Sequence, residues 1–524
     1  MRRRQQKRNI PFFEITAMVL FSLFILLAAI NLPLMKTPLE NLKKNRDFKA
    51  FTQEVQAVYT SDKLEGKNPL INVNGAFARL TNRHIYNEVV LLNNGYLGAM
   101  DTGKTDMQPR ADKLAELSRY LENEGTEFLF VQAGKKIDLA NELLPLGEKN
   151  HFNENANDLL NMLAKENVRT LDLRPFLNGN PEQVSRYYFK TDHHWNYEGA
   201  FYAFQLIMQE MNRIFPDSPL DLAYTDESMW QKHLLKNHFL GSNGKRVGIF
   251  YAGTDDVVYY TPEFDTWMSC IVPVHNRITK GVFQDAVMRS EYFERTDYFE
   301  TIPYCMYIGG DYPLVQHRNA EAPNKQKILI VKDSFVLPVQ SFMSTLFSEI
   351  DVIDLRHFTE ETLAEYIEKN DFDLVMYLLS GTIISKEYFD RIGDLKAVPE
   401  KTETLLYEAD AVSVKKSNTK YNYKKINVSL EAGKEYVLRF TNVDIQEGTT
   451  HGIGIRLYDS KANAPVRTFT HDIEYGNAND GCEWRFTVPE KAGNELQLLL
   501  YAGIPGGTAG ISLTYHNVSL SVCE

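Results

Sequence analysis

The segment Lys327-Ile328-Leu329-Ile330-Val331-Lys332-Asp333-Ser334-Phe335 begins as an uninterrupted apolar run and ends in polar residues. Such a run predicts a strand that is buried on both faces of a sheet. Strands of this kind belong to parallel sheets, in which ligands bind at the carboxyl ends of the strands. Because Ser334 directly follows the strand, we expect its hydroxyl group to lie at a ligand-binding edge.

The chain around this strand alternates between helix and strand patterns over residues 71–405. Apolar residues recur at helical spacing in some segments, and short apolar runs separate these segments. The alternation predicts an α/β architecture, a parallel sheet with helices on both faces. The predicted helices are 112–124, 154–166, 198–215, 337–349 and 360–369, and the predicted strands are 128–131, 168–173, 327–331, 351–355 and 373–379.

Two regions depart from this alternation. Residues 216–325 are aromatic and irregular, and we expect an insertion over the edge of the sheet. Beyond residue 410 the helical spacing stops, and short alternating strands separated by turn residues predict a β-sandwich. The expected organisation is a cytoplasmic tail and anchor (1–35), a juxtamembrane stalk (36–70), an α/β domain (71–410) and the sandwich (411–524).

The amino terminus predicts a membrane anchor. Residues 15–35 form an uncharged apolar stretch of 21 residues, preceded by Arg2, Arg3, Arg4, Lys7 and Arg8. About 20 helical residues span the hydrocarbon core of a bilayer, and a basic cluster on one side stays in the cytoplasm. Because the h-region of a cleaved signal peptide has only about 7–15 residues, we expect an uncleaved single-pass helix with the bulk of the chain outside the cytoplasm.

Composition excludes some classes of function. The chain has 524 residues, with 57 Lys and Arg against 69 Asp and Glu, and a net charge of −12. An acidic chain does not suit nucleic acid, whose phosphates need a basic stripe. Four cysteines without a C-x-x-C pattern form neither a disulfide scaffold nor a structural zinc site. Cys270 with Cys305, and Cys482 with Cys523, could pair or stay free.

A second polar segment, Phe189-Lys190-Thr191-Asp192-His193-His194-Trp195-Asn196, precedes a predicted helix. If it is extended, Asp192 and His194 point to the same side. A carboxylate beside an imidazole fixes the tautomer of the ring and stabilises its protonated form, as a general base needs. A serine hydroxyl is a weak nucleophile without such a base, so we expect the fold to bring His194 to Ser334.

Two other patterns point to different chemistry. The segment Gly98-Ala99-Met100-Asp101-Thr102-Gly103-Lys104-Thr105 matches the P-loop pattern, which needs a buried strand before it and a helix after it. Because a turn precedes it and Pro109 follows, we interpret it as a loop. Asp192, His194 and Glu198 could bind a metal, but three candidates are few, and neither a metal nor a cofactor is predicted.

The two polar segments together resemble the DHHW family. The residues that carry the resemblance are Thr191-Asp192-His193-His194-Trp195 with Glu198-Gly199-Ala200, and the later Asp333-Ser334-Phe335. This family is similar to SGNH hydrolases with the triad segments in permuted order, and it includes alginate O-acetyltransferases. The resemblance covers residues 71–405 and implies Ser334 as nucleophile, His194 as base and Asp192 as acid. It departs at Lys332, where the family usually has glycine.

The resemblance also implies a function. We expect an O-acetyltransferase that acts on a cell-surface or secreted polysaccharide, with a membrane-bound O-acyltransferase as acetyl donor. The Ser334 amide is expected in the oxyanion hole, beside a second donor that remains unidentified. Lys135 and Lys136 lie in a loop that resembles a lysine-containing loop of the family and are expected to bind substrate. The sandwich resembles a carbohydrate-binding module. An acetyl esterase with the same triad and a non-enzymatic polysaccharide-binding factor remain alternatives.

Overall fold

The computed structural model describes most of the chain as two compact units. One unit comprises Met1–Met211 with Leu220–Asp394, and the other comprises Asn212–Pro219 with Leu395–Glu524. The described residues are 18–19, 21–22, 25–26, 29–60, 64–216, 218–294, 297–395, 403–419, 421–448, 450, 452–472, 482–489, 495–505 and 508–523.

The predicted anchor falls partly outside the described residues. Within residues 15–35, the positions 15–17, 20, 23–24 and 27–28 are not among them. No helix in the described ranges is long and apolar enough to cross a bilayer. The anchor therefore stays a prediction.

The first unit is organised around one large sheet. Its strands, in chain order, are β1 (Ile85–Tyr86), β2 (Val89–Leu91), β3 (Leu97–Ala99), β4 (Glu127–Gln132), β5 (Thr170–Asp172), β6 (Trp230–Phe239), β7 (Asp255–Pro262), β8 (Met268–Val272), β9 (Arg277–Gly281), β10 (Leu314–Arg318), β11 (Asn324–Lys332), β12 (Phe347–Ile353) and β13 (Leu374–Leu379). The large sheet has the order β5-β4-β13-β11-β12-β10-β8-β9, β1 to β3 form a small sheet, and β6 and β7 form a hairpin.

The large sheet is mixed, which corrects the expectation of a purely parallel sheet. The strands from β5 to β12 in this order run parallel, and β10, β8 and β9 are antiparallel. The antiparallel strands come from the insertion 216–325, which we expected to be irregular. Each has only five residues, and buried positions alternate with more exposed ones. They therefore lack the continuous apolar run that reveals a central strand.

The predicted helices are present with shifted ends. Helix 337–349 was predicted too long, because the hydroxyls of Ser344 and Thr345 donate to the carbonyls of Ser341 and Phe342 where the helix ends. The helices are α1 (Lys36–Asn45), α2 (Phe48–Thr60), α3 (Lys67–Leu80), α4 (Gln108–Asn123), α5 (Phe152–Lys165), α6 (Arg174–Leu177), α7 (Pro181–Tyr187), α8 (Tyr197–Ile214), α9 (Ser242–Val247), α10 (Ile249–Ala252), α11 (Phe283–Val287), α12 (Val336–Met343), α13 (Leu363–Glu368) and α14 (Glu387–Asp390), with 3-10 turns at Leu32–Met35, Leu222–Thr225, Glu227–Met229, Pro273–His275, Ser290–Tyr292, Pro303–Cys305 and Gly381–Ile384.

Strand β11 lies in the middle of the sheet, as its sequence predicts. Ile328, Leu329, Ile330 and Val331 are fully buried between the parallel neighbours β12 and β13. The carboxyl ends of β4, β11 and β13 therefore meet at one edge. Ser334 lies at this edge, directly beyond β11.

The second unit is a β-sandwich. Its two sheets have the orders β14-β22-β16-β20, with β17 also paired to β22, and β15-β21-β18-β19. Buried side chains of both sheets form one hydrophobic core. The strands are β14 (Glu403–Val414), β15 (Tyr423–Ile426), β16 (Glu435–Phe440), β17 (Asn442–Glu447), β18 (Gly452–Asp459), β19 (Ala464–Asp472), β20 (Cys482–Thr487), β21 (Leu496–Tyr501) and β22 (Ser512–Cys523), so the expected boundary at 410 falls within β14.

All four cysteines are free thiols. Cys482 lies opposite Phe440 at one end of β16, and Cys523 lies opposite Glu435 at the other end. Five residues along a strand correspond to about 16 Å. Because a disulfide needs Cα atoms within about 7 Å, the sandwich register excludes the Cys482–Cys523 pairing.

Candidate active site

The structure brings together the three residues that the sequence singles out. The Nε2 atom of His194 lies 2.7 Å from Ser334 Oγ, and its Nδ1 atom lies 2.5 Å from Asp192 Oδ1. Asp192 and His194 are buried, and Ser334 is half-buried. The two segments are 140 residues apart in sequence, so the fold itself makes this contact.

The carboxyl group of Asp192 is ionised. Burial alone would raise its pKa, but the rings of His194 and His193 and the hydrogen bonds from His194 and Ser242 hold it well below the ordinary value. The backbone N–H groups of His194 and Ser242 donate to the two carboxylate oxygens at 3.0 and 2.6 Å. An ionised carboxylate can only accept, so Nδ1 of His194 carries the proton and Nε2 accepts from the Ser334 hydroxyl.

The DHHW loop (residues 189–194) is bent rather than extended. A single bridge between Tyr188 and Trp195 closes it, and it contains no helix or strand. Asp192 and His194 therefore meet through a local turn and not through strand alternation. Gly241 packs against this turn, where a Cβ atom would lie 2.3 Å from Asp192 Cβ, so glycine is required at this position.

Lys136 anchors the backbone of the DHHW loop. Its ammonium group donates to the carbonyl oxygens of Phe189 at 2.7 Å, of Lys190 at 3.0 Å and of Asp192. Lys136 is buried, and an ammonium group has three N–H donors. All three are used by the loop, so the geometry supports a positioning role and not the expected contact with substrate.

Lys135 has a different environment. It is half-buried, and its Nζ atom lies 5.5 Å from the centre of the Phe152 ring. Burial lowers the pKa of its ammonium group, which Asp101 partly opposes. Substrate binding by Lys135 stays a prediction.

Asp255 holds the same loop from the other side. Its carboxylate accepts the backbone N–H of Lys190 at 2.6 Å and of Thr191 at 2.8 Å, and also the Thr191 hydroxyl at 2.5 Å. Asp255 is the first residue of β7 in the insertion. The sequence analysis missed it, because nothing in the local sequence links it to the DHHW segment.

Asp333 positions the serine. One carboxylate oxygen accepts the Phe335 N–H at 3.0 Å. The other accepts the N–H and hydroxyl of Ser380 at 2.8 and 2.7 Å and the Thr382 hydroxyl at 2.6 Å. The end of β11 is thereby tied to the end of β13. Within the described ranges, no acceptor receives the backbone N–H of Ser334, which is consistent with its expected place in an oxyanion hole.

Lys332, which replaces the glycine usual in the DHHW family, is fully buried among charges. Its ammonium group pairs with Asp311 and lies 3.5 Å from Asp354 Oδ2. Arg356 binds Asp354 through Nε at 2.9 Å and Nη2 at 2.6 Å. Burial raises the pKa of Asp311, but the charge and hydrogen bond of Lys332 outweigh it and leave the pKa lowered. The lysine therefore adds no unpaired charge beneath Ser334.

Tyr304 stacks on the imidazole of His194. The ring centres are 3.8 Å apart and the planes differ by 12°. The Tyr304 hydroxyl and Trp195 Nε1 both donate to the Phe335 carbonyl, at 3.3 and 3.0 Å. Trp195 is fully buried, so these bonds join the loop of the histidine to the loop of the serine. The sequence analysis missed Tyr304, because it lies in the irregular insertion.

The two alternative interpretations fit the structure poorly. Ligand atoms of Asp192, His193 and His194 lie within 4.8 Å of one another, but both ring nitrogens of His194 are engaged by Asp192 and Ser334. Glu198 lies near Lys232 instead, at 3.8 Å. In the segment that matches the P-loop pattern, Lys104 pairs with Asp158 at 2.6 Å, and the next helix begins only at Gln108.

Part of the chain around this site is similar to a known protein family. Residues 93–233 match the family model described as "SGNH hydrolase-like domain, acetyltransferase AlgX". This part of the chain is thus similar to an SGNH hydrolase-like domain. The match includes Asp192 and His194, whereas Ser334 lies beyond the matched residues. It confirms the resemblance that the motifs predict.

Solved structures with similarity to the chain include three from bacteria. Bacillus cereus PatB1 has a TM-score of 0.49 and 23% identity, covering 58% of this chain and 99% of PatB1. A DHHW family protein from Eubacterium siraeum has a TM-score of 0.41 and 21% identity, and the match covers 58% of this chain and 95% of that protein. Pseudomonas aeruginosa AlgX has a TM-score of 0.34 and 15% identity, and the match covers 83% of this chain and 94% of AlgX. Comparison with curated proteins found no match.

The contacts and pKa of Lys136 lead us to expect a loss of activity at alkaline pH. Burial lowers its pKa to about 8, although Asp255 and Asp192 oppose the shift. Above that pH the amine has two N–H groups for three carbonyl acceptors, so we expect the DHHW loop to loosen. The rate of hydrolysis of a chromogenic acetyl ester should fall as the pH rises through about 8. Lys136→Met should be slower at every pH and lack this fall.

The background rate for this comparison is that of Ser334→Ala, measured at each pH. A wild-type rate that stays constant from neutral to strongly alkaline pH, after this subtraction, would contradict the role assigned to Lys136.

Because Tyr304 stacks on His194, we expect the rate of ester hydrolysis to depend on its aromatic ring. The face of an aromatic ring attracts a cation with about 0.5–2 kcal/mol, so stacking should favour the imidazolium that forms during catalysis. We expect Tyr304→Leu to lower kcat for the same ester about tenfold with KM little changed, since about 1.4 kcal/mol corresponds to a factor of ten. Tyr304→Phe keeps the ring and should retain most of the activity. Equal losses in both variants would show that the ring is not the cause.

Proposed function

We propose that the chain is an extracytoplasmic O-acetyltransferase that transfers acetyl groups to a cell-surface or secreted polysaccharide through an acyl-enzyme on Ser334. The observation that carries the proposal is the 2.7 Å contact between His194 Nε2 and Ser334 Oγ. Behind it, the ionised Asp192 fixes the tautomer in which Nε2 can accept a proton. The matched acetyltransferase family over residues 93–233 supports the acetyl group as the one transferred.

The first half-reaction forms the acyl-enzyme. Ser334 Oγ attacks the carbonyl carbon of the acetyl donor, and its proton moves to His194 Nε2. The bond between the carbonyl carbon and the leaving oxygen breaks, and the leaving group takes the proton from His194. Asp192 stabilises the imidazolium between these two steps without becoming protonated.

The second half-reaction transfers the acetyl group. A sugar hydroxyl attacks the ester carbon on Ser334, and His194 Nε2 takes the hydroxyl proton. The ester bond to Ser334 breaks, and the proton on His194 returns to Oγ. The sugar carries the acetyl group and the serine is free for another cycle.

The negative charge of both tetrahedral intermediates needs fixed donors. The backbone N–H of Ser334 supplies one, because in the described part of the chain it has no other acceptor. The bonds from Asp333 to Phe335, Ser380 and Thr382 hold this N–H in place. Fixed donors of this kind stabilise the developing charge without reorganising during the reaction.

We propose that the β-sandwich binds the polysaccharide. On the four-stranded sheet, Tyr423 lies beside Tyr501 with 5.3 Å between ring centres, and Arg456 lies 5.6 Å from the centre of the Tyr501 ring. Tyr423 is exposed. Its ring offers an apolar face with a polar end, which suits a sugar, whereas Tyr501 is buried beneath it. A second binding unit raises the local polymer concentration.

The proposed location and acetyl donor rest on the sequence. The basic residues before the apolar stretch at 15–35 support an anchor with the acetyltransferase unit outside the cytoplasm. We propose a membrane-bound O-acyltransferase as the acetyl donor, as the resemblance to the DHHW family implies.

The proposal is tested with the full chain in detergent and a chromogenic acetyl ester. We expect Ser334→Ala and His194→Ala each to lower the rate of acetyl release by about a millionfold, since members of a triad act as a unit. We expect Asp192→Asn to lower it about ten-thousandfold, because the tautomer of His194 is lost. Added oligosaccharides should then appear as acetylated products in the wild type.

Matched controls are Ser348→Ala, at the amino end of β12, and His516→Ala, in β22 of the sandwich, and both should retain the wild-type rate. Acetyl release without acetylated sugar would favour the esterase alternative. A wild type no faster than Ser334→Ala with acetyl esters of any leaving group would contradict acyl chemistry and favour the binding-factor alternative.

A further inference from the structure

The insertion forms a cavity that the triad does not use. The cavity has a volume of about 490 Å³, within the range of about 300–1,000 Å³ typical of small-molecule sites. One wall is the β6–β7 hairpin, where His233 lies opposite Tyr259 and Gln231 opposite Thr261. The other wall consists of residues 284–293.

Aromatic rings line one side of this cavity. The rings of His233 and Tyr259 stack with 4.7 Å between centres and an angle of 17°, and Phe293 meets Tyr259 edge to face at 5.1 Å. His233 is fixed by Thr261, whose Oγ1 lies 2.9 Å from Nε2. Burial raises the pKa of Tyr259, so its hydroxyl stays a hydrogen-bond donor at neutral pH.

The remaining lining consists of Met288 and several polar side chains. The side chains of Gln231, Gln284, Asp285 and Ser290 line the cavity, and within the described ranges they have no hydrogen-bond partner. Amide, carboxylate and hydroxyl groups beside an aromatic face match a pyranose ring, which has an apolar C–H face and a rim of hydroxyls. The lining includes one carboxylate and no lysine or arginine, so it suits an uncharged sugar better than an anionic one.

The cavity lies on the strand that supports the DHHW loop. Asp255, which accepts from Lys190 and Thr191, is four residues from Tyr259 on β7. Four residues of a strand span about 13 Å. The strand that lines the cavity therefore also contacts the DHHW loop, about 13 Å away along β7.

We propose that this cavity is a subsite for an uncharged pyranose unit of the acceptor, several sugar units from the one that is acetylated. As acceptor binding, the inference rests on the proposed function. The cavity would then select neutral stretches of the polymer, and Ser334 would acetylate at a fixed distance from them.

Sugar binding is measured by titration calorimetry with the full-length Ser334→Ala chain, which cannot turn over an acyl donor. The probes are neutral tetrasaccharides of glucose, galactose, mannose or N-acetylglucosamine, with tetragalacturonate as the anionic probe. We expect at least one neutral probe to bind. Tyr259→Ala and Gln284→Ala, each added to Ser334→Ala, should weaken its affinity about tenfold, the equivalent of about 1.4 kcal/mol.

Glu360→Gln is the matched control, because Glu360 lines a different cavity that contains several acidic residues, and it should leave the affinity unchanged. Gln284 is exposed, so its variant should fold even if Tyr259→Ala does not. The proposal is overturned if no neutral probe binds, if both cavity variants bind like the parent, or if tetragalacturonate binds more tightly than every neutral probe. If the cavity variants weaken sugar binding but the wild-type chain transfers no acetyl group, the proposed function is refuted and the subsite stands.

Discussion

The candidate site depends on holding a loop without regular structure against the end of a sheet. The DHHW loop must present an imidazole within 2.7 Å of a serine on another segment, although its own backbone forms only one bridge. Buried charged side chains, rather than regular secondary structure, hold the backbone of this loop in place. The ammonium group of Lys136 donates to three backbone carbonyls of the loop. The carboxylate of Asp255 accepts from two backbone N–H groups and one hydroxyl. Charge-assisted hydrogen bonds of this kind are about twice as strong as neutral ones.

The same principle governs the other side of the contact. Asp333 accepts three hydrogen bonds from Ser380 and Thr382 beyond β13 and a fourth from Phe335 beside Ser334. Lys332 is neutralised by Asp311 and Asp354. Breaking a buried pair by removing one partner costs about 3–5 kcal/mol, whereas an intact pair contributes little net stability. These ions therefore serve to fix geometry. A triad needs this, since a displacement of about 1 Å can cost about a hundredfold in rate.

The sequence predicts the parts whose signal is local. The apolar run of β11 predicts its central, doubly buried position, and the spacing of Asp192 and His194 predicts their pairing although the segment is bent. The three antiparallel strands escape prediction, because short strands of the insertion carry no continuous apolar run. Tyr304 and Asp255 escape it too, because their roles exist only after the insertion has folded onto the DHHW loop. Asp354 and Arg356 had a usable signal, since they follow directly on β12 at its carboxyl end.

The central claim is that Ser334 carries the acetyl group, and trapping the intermediate tests it most directly. The full chain is mixed with an activated acetyl ester, quenched in acid within the first turnover, digested, and mapped by mass spectrometry. The account predicts one added acetyl group on the peptide that contains Ser334, absent from Ser334→Ala and from His194→Ala. Acetyl groups on another residue that turn over at the rate of product formation, or turnover without any acetylated peptide, would contradict it.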